Sequence, residues 1–205
     1  MTTDEIDAAL TAFDIHLERY RQAGHDRLQA VRFVVDAAGP WTGPALDVGT
    51  GKGLLAIELA RRAGRVTTID TSADEQQIAR ARALREGLAD RITFVTGDAA
   101  SLPFPDAAFG LVAMMNVLHH LASPSPVLDE MVRVLAPGGH LLIGEFDQQG
   151  FDLVARIHRE EGRVHPVGPV TMAAAHRRLL SLGLRLVKRL DGMLHEVALF
   201  EAASA

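Results

Sequence analysis

One stretch constrains this chain more than any other: Ala45-Leu-Asp-Val-Gly-Thr-Gly-Lys-Gly-Leu-Leu-Ala-Ile-Glu-Leu-Ala60, a short apolar run passing through a glycine loop into a helical pattern. Gly49, Gly51 and Gly53 alternate, so the backbone can turn sharply and a ligand can approach where a Cβ would intervene. The helix that follows directs unpaired N–H groups and the positive end of its dipole at whatever sits there. A second short strand, Arg65-Val-Thr-Thr-Ile-Asp70, ends in a carboxylate at the distance expected of a ribose ligand. Together these features read as a nucleoside-binding site.

Around this stretch, strand and helix patterns alternate. Two helical segments come first, one with Ile6, Leu10, Phe13, Leu17 and Tyr20 at helical spacing and one with Leu28, Val31, Val35 and Ala38. After Asp70, Ser72 and Glu75 form a capping-box pattern for a helix through Arg85. Strands follow at Ile92–Val95 and Phe109–Met115, then a helix Val127–Leu135 stopped by Pro137-Gly138-Gly139, then a strand His140–Glu145. A helix Met172–Leu182 leads to two apolar runs around Asp191-Gly192, a strong two-residue hairpin signal. Such alternation implies a mainly parallel sheet with helices on both faces, and the hairpin makes its last strand antiparallel. The expectation is one domain over 1–205, with a helical cap over 1–40 and an α/β core over 44–205.

Composition narrows the partners. A net charge of -5 argues against a nucleic-acid surface, and no apolar run reaches the roughly 20 residues a bilayer span needs. With no cysteine there is no disulfide, thiolate metal site or cysteine nucleophile, which suits a reducing cytoplasm. The expected location is cytoplasmic, as a monomer or homodimer.

At this point the chain resembles the class I S-adenosylmethionine-dependent methyltransferases, in particular the small-molecule group that includes the ubiquinone/menaquinone-biosynthesis methyltransferases. Four pieces between Pro44 and Phe146 carry the resemblance: the Asp47-x-Gly49-x-Gly51-x-Gly53 loop, Asp70, Thr96-Gly-Asp98-Ala99, and Phe109 through Asn116 to His119-His120-Leu121. The resemblance implies a Rossmann-like doubly wound sheet and S-adenosylmethionine as cofactor, with a small-molecule O, N or C nucleophile as methyl acceptor. It places Gly49, Thr50 and Gly51 at the methionine end, Asp70 on the ribose with Thr71 beside it, Asp98 and the Ala99 N–H at the adenine, and Asn116 facing the cofactor. Asp47, a carboxylate inside an apolar strand, is expected to order the loop amides or meet the cofactor ammonium, since burial is costly without a hydrogen bond. One residue departs from the family's pattern: Gly110 stands where an acidic residue is usual.

His119 and His120 are the candidate acceptor-orienting or basic groups, because imidazole titrates near neutral pH; adjacent side chains should diverge, so that at most one faces the cleft. Arg21 and Arg27 are candidate partners for the methionine carboxylate or an anionic acceptor. His158, Glu161 and His165 suggest a metal only weakly, a solvated helix face explaining them as well, so no metal is expected. Lys52 should point to solvent.

Rival readings fit less well. A nicotinamide oxidoreductase would want G-x-G-x-x-G, but Leu54 stands three residues after Gly51, and the only tyrosine, Tyr20, precedes the first strand. A phosphate-binding P-loop fails because Gly53 follows Lys52. A non-catalytic cofactor-binding protein acting through a partner stays open, kept alive by Gly110 and by the short insert after Glu145.

Overall fold

A computed structural model describes residues 2–62, 64–164 and 166–204. Two helices open the fold, α1 (Thr3–Gln22) and α2 (Arg27–Ala38). The alternating part runs β1 (Ala45–Val48), α3 (Leu54–Arg62), β2 (Val66–Asp70), α4 (Ala73–Arg85), β3 (Ile92–Thr96), β4 (Phe109–Met115), α5 (Ser125–Arg133) and β5 (Leu135–Phe146). It closes with α6 (Gln148–Glu160), α7 (Met172–Ser181), β6 (Arg185–Gly192) and β7 (His195–Glu201). Among the described residues no helix is long and apolar enough to cross a membrane.

The seven strands form one sheet in the order β3-β2-β1-β4-β5-β7-β6. All neighbouring pairs are parallel except those involving β7, which runs antiparallel to both β5 and β6. This is the doubly wound architecture with an antiparallel hairpin that the alternation implied. Each face of the sheet has its own core. On one, α5 and α7 bury Leu128, Met131, Ala175 and Leu179 over β4 and β5; on the other, α2 and α3 bury Val31, Val34, Leu55 and Leu59. Each leucine, valine or methionine side chain among these, taken fully out of water, contributes about 1.5–3 kcal/mol.

The strand order reverses beside β1, between β2 and β4, and the C-terminal tips of these strands open there. Ligands of open α/β sheets bind at such a switch point. Helices α1 and α6 lie over it and share a small cluster built from Tyr20, Leu153, Val154, Ile157 and Phe146.

Four elements depart from the sequence expectation. Helix α6 occupies a stretch left unassigned; Asp147 caps it, accepting from Gly150 N at 2.7 Å, and Leu153, Val154 and Ile157 make its buried face. Helix α5 ends at Arg133, and Pro137-Gly138-Gly139 lies inside β5, where the ladder to β4 jumps from Phe109↔Leu135 to Leu111↔His140. At the start of α4, Ser72 Oγ accepts from Glu75 N at 3.2 Å, while Glu75 turns its own carboxylate toward Lys52. The hairpin turn falls on Met193-Leu194, at φ 52° and 59°, with Gly192 paired to His195. Two L residues in that region cost about 1–2 kcal/mol each. The cost is offset by tertiary contacts: Leu194 packs into the α1–α6 cluster, and its carbonyl accepts from Asp147 N at 3.0 Å at the head of α6.

Gly110 also has a local cause. A Cβ there would stand 1.6 Å from the Thr42 carbonyl oxygen, because the chain entering β1 crosses directly above it. The position excludes any side chain, acidic or otherwise, and it lies at the entry of β4, away from the strand tips.

Candidate active site

The strand tips, the glycine loop and the two covering helices enclose a cavity of about 660 Å³, within the range small-molecule sites occupy. Its floor at one end is mostly backbone. Gly49 N and Thr50 N donate to Ile69 O at 2.9 and 3.1 Å, lashing the loop to the tip of β2. Gly49 sits at φ +89°, and a Cβ on it would fall 2.3 Å from Val117 Cγ2, so this turn admits only glycine. Asp70 accepts from Gly51 N at 2.8 Å through one oxygen and from Ser72 N at 2.9 Å through the other. Each carboxylate oxygen keeps further lone pairs for a diol. Asp98 closes an Asx turn onto Ala100 N at 2.9 Å and, with Ala99, lines the same wall.

Nine of the predicted binding positions and both histidine candidates were expected at this opening. Gly49, Thr50, Gly51, Asp70, Thr71 and Asp98 line it, as do Ala99, Asn116, His119 and His120. Asp47 does not. It is fully buried one residue inside β1, in register with Thr68 of β2, so its carboxylate meets Thr68 Oγ1 at 2.7 Å instead of the cavity. From Thr68 the chain of contacts runs to Thr50 Oγ1 at 2.6 Å and on to Gln76, which supports the loop from beneath. Burial pushes the Asp47 carboxyl up to about 7, only partly countered by the Thr68 hydroxyl.

The other end of the cavity is made of side chains. Asn116, at φ 57°, breaks the line of β4 and turns the chain into a short helical turn at Leu118–His120. Consecutive residues in so tight a turn do not diverge as on a strand. The rings of His119 and His120 lie 4.0 Å apart and both line the cavity, correcting the expectation that at most one would. His119 is buried, and its Nδ1 lies 2.9 Å from Glu145 Oε1, while its backbone N donates to Glu145 Oε2 at 3.2 Å. With Nδ1–H donated to the carboxylate, Nε2 is the basic atom of the ring. His120 is exposed, and burial of its ring surroundings, followed by the neighbouring His119, lowers its pKa.

Helix α1 roofs this end. Glu161, just past α6, accepts from Arg19 at 2.8 Å, faces His16 Nδ1 at 3.1 Å and pairs with Arg163. Burial would raise the Glu161 pKa, but hydrogen bonds from Arg163 and His16 prevail and hold it at about 2. At its other side α1 is pinned by Arg82, 4.4 Å over the Phe13 ring, and by Asp14, which accepts from Arg85 at 2.7 and 3.0 Å. Lys52, expected in solvent, lies over Phe13 at the cavity rim, 5.8 Å from the ring centre.

Of the two candidate arginines, Arg21 is turned outward onto Glu18. Arg27 lines the cavity 5.0 Å over the Tyr20 ring, and no carboxylate among the described residues lies within ion-pair distance of it. His158 also lines the cavity, and His165 lies outside the described residues. Among the described residues no group of three or more potential ligands could hold a metal ion.

Residues that sequence reasoning passed over include Glu145, His16, His25, His195 and Phe146. Only Glu145 carried a usable signal, an acid at the tip of a central strand beside the expected cleft.

Comparison with known proteins now adds to this geometry. Residues 46–143 match the methyltransferase domain family. Over this stretch, just under half of the chain, it is similar to the S-adenosylmethionine-dependent methyltransferases. A ubiquinone/menaquinone biosynthesis C-methyltransferase of Hahella chejuensis is 35% identical over 131 residues, 62% of this chain and 53% of that protein. A 27-O-demethylrifamycin SV methyltransferase of Amycolatopsis mediterranei is 38% identical over 124 residues, covering 58% and 45% respectively. The chain therefore spans about half the length of the curated relatives it matches. The PH0226 protein of Pyrococcus horikoshii shares the fold at a TM-score of 0.72 and 21% identity, over 92% of this chain and 93% of that one. The family's cofactor is S-adenosylmethionine, and the residues present fit it. Asp70 turns its carboxylate to the cavity beside the Gly51 amide, the buried Asn116 Oδ1 has no hydrogen-bond partner among the described residues, and Arg27 offers a cation with no carboxylate among them within ion-pair distance.

Proposed function

We propose that this chain transfers the methyl group of S-adenosylmethionine to a small-molecule nucleophile that carries a proton, with His119 as the proton acceptor and Glu145 as its positioning partner. One observation carries the reading: a single cavity joins the Asp70–glycine-loop end to the His119–Glu145 pair. When bound, the cofactor supplies an electrophilic methyl group on a sulfonium. The chain's own residues then have defined tasks. Asp70 holds the ribose hydroxyls, Asp98 and Ala99 N–H read the adenine edge, Asn116 Oδ1 accepts from a cofactor donor, and Arg27 balances the methionine carboxylate. The roof formed by α1 excludes water, which favours alignment over solvation of the reacting atoms.

The relatives methylate different atoms, carbon in the Hahella protein and the 27-oxygen in the Amycolatopsis protein by their names. Base assistance from His119 favours a hydroxyl acceptor here, because such a nucleophile must shed its proton near neutral pH. The non-catalytic alternative loses one of its two sequence motives, since Gly110 is explained by the Thr42 carbonyl.

Titration calorimetry of the full chain with S-adenosylmethionine and S-adenosylhomocysteine, followed by labelled-methyl transfer to a panel of hydroxylated small molecules, tests this. Glu145→Gln should leave S-adenosylhomocysteine affinity unchanged and lower transfer by about 10²-fold, the usual worth of a positioned base. Binding with no transfer to any acceptor would return the non-catalytic reading. NADH binding in place of both sulfur ligands would remove the methyltransferase reading altogether.

A further inference from the structure

The strained turn between β6 and β7 has a product. Met193 and Leu194 both hold positive φ, although Asp191-Gly192 could have made an easy turn two residues earlier. Strain of this kind persists where the surroundings over-determine it, and it gathers at ligand clamps. Here it delivers His195 to the cavity wall. The ring is 1% exposed, and its Nδ1 lies 2.7 Å from the Met193 carbonyl, which can only accept. That contact assigns the proton to Nδ1 and leaves a lone pair on Nε2. Nε2 is buried, and no hydrogen-bond partner reaches it among the described residues.

His25 shares the defect. It is 2% exposed, its Nε2 is likewise unpartnered, and its ring stacks on His195 at 5.8 Å. Phe146 completes the wall, 4.6 Å from His195 and 6.4 Å from His25, and on its other side stands His119 at 6.2 Å. Burial keeps both unpartnered imidazoles neutral, and it lowers the His25 pKa to about 4. A neutral imidazole nitrogen with a lone pair accepts a proton donor and offers nothing to an anion or an ether. Leaving it buried without a partner costs free energy, so an occupant that supplies the donor gains correspondingly.

We propose that His195, backed by His25, is a hydroxyl-recognising subsite of the acceptor pocket, selecting an acceptor that presents a hydroxyl from a planar frame lying against Phe146. This rests on the methyl-transfer reading for the word acceptor, but the subsite itself does not. The acceptor would then span Phe146, with its reacting group toward His119 and a second hydroxyl on His195.

Phenol, anisole and benzoate make a matched probe set, titrated into the full chain loaded with S-adenosylhomocysteine while the histidine ring nitrogens are followed by NMR. Phenol should shift the His195 ring signals and bind about five-fold tighter than anisole, the worth of one net hydrogen bond, with benzoate no better than anisole. His195→Leu should abolish the phenol preference while S-adenosylhomocysteine affinity stays within about two-fold, and His195→Gln, whose side-chain oxygen can accept in place of Nε2, should restore part of it. Equal binding of phenol and anisole, tightest binding of benzoate, or an undiminished preference in His195→Leu would overturn the subsite. If His195→Leu fails to fold, the phenol–anisole ratio and the His195 shifts of the unaltered chain decide. If S-adenosylhomocysteine does not bind the unaltered chain, the methyl-transfer reading falls, and the same titration without it still tests the subsite.

Discussion

The two ends of the cavity are built on different principles. At the cofactor end the loop of Gly49–Gly51 is tied by backbone amides to Ile69 and Asp70, and the geometry is held by neighbours in a parallel sheet. At the acceptor end the wall is made of His119, Phe146, His195 and His25, brought together from four separate stretches of chain and roofed by a helix whose anchors are mainly charged. Helix α1 buries only Phe13 and Tyr20, whereas α2 buries six apolar residues. Backbone-built sites depend on a few conformations and tolerate little; side-chain-built sites can be re-lined while the fold persists. That contrast matches two relatives whose names assign them different acceptor atoms.

The contrast can be broken most sharply at Asp70. Asp70→Ala removes the proposed diol ligand, so S-adenosylhomocysteine affinity should fall at least about 100-fold, the worth of two charge-assisted hydrogen bonds from the ribose, and it also frees Gly51 N and Ser72 N, which loosens the loop. Calorimetry showing less than a ten-fold change would mean that the cofactor end does not rest on this carboxylate.

A middle-sized effect belongs to the acceptor end and appears as pH dependence. His25 has its pKa lowered to about 4 by burial and by the neighbouring His195. A depressed imidazole contributes stability that is fully present above its unfolded value near 6.5 and is lost as pH falls from there through 4. Chemical denaturation should therefore show His25→Phe, which suits the aromatic surroundings, losing about 1–3 kcal/mol less than the unaltered chain between pH 7 and pH 4. Parallel losses in the two proteins would show that His25 is already neutral-indifferent in the fold.

The smallest effect concerns the roof. Glu161→Gln weakens the contacts with His16, Arg19 and Arg163, and partly exposed pairs of this kind should cost about 0.5–1 kcal/mol. Because the folded pKa of Glu161 lies at about 2, below its ordinary carboxylate value, its contribution is present above about pH 4.5 and fades as pH falls through 2. Hydrogen exchange should quicken across Thr3–Gln22 and stay unchanged in β1 and β4. Unchanged exchange in α1 would mean that Phe13 and Asp14 alone hold the roof.

How much of this was legible in the chain follows the same division. Motifs of the cofactor end lie within short windows, each at the tip of a strand, so Gly49, Asp70, Asp98 and Asn116 could all be read locally. Asp47 was legible only in part, because residue type does not reveal which way a strand side chain points; its register with Thr68 turned it inward, onto a chain of hydroxyls that reaches the loop through Thr50. The acceptor end was mostly invisible. His119 and Glu145 are 26 residues apart, and His16 and Glu161 are 145 apart, so no window contains either pair. The hairpin shows a strong local signal overruled: Asp191-Gly192 asked for the turn, and packing of Leu194 with its carbonyl on the α6 N-terminus placed it on Met193-Leu194.

By itself the sequence determined the alternating α/β order, the glycine loop and the acid at each of two strand tips, because periodicity, turn chemistry and backbone conformation are local properties. Tertiary structure alone decided which histidines share the cavity, that Glu145 stands behind His119, that Gly110 must lack a side chain, and that His25 and His195 bury an Nε2 with no partner among the described residues. Those outcomes depend on contacts between distant segments, and distance along the chain carries no record of them until the sheet and its covering helices have closed.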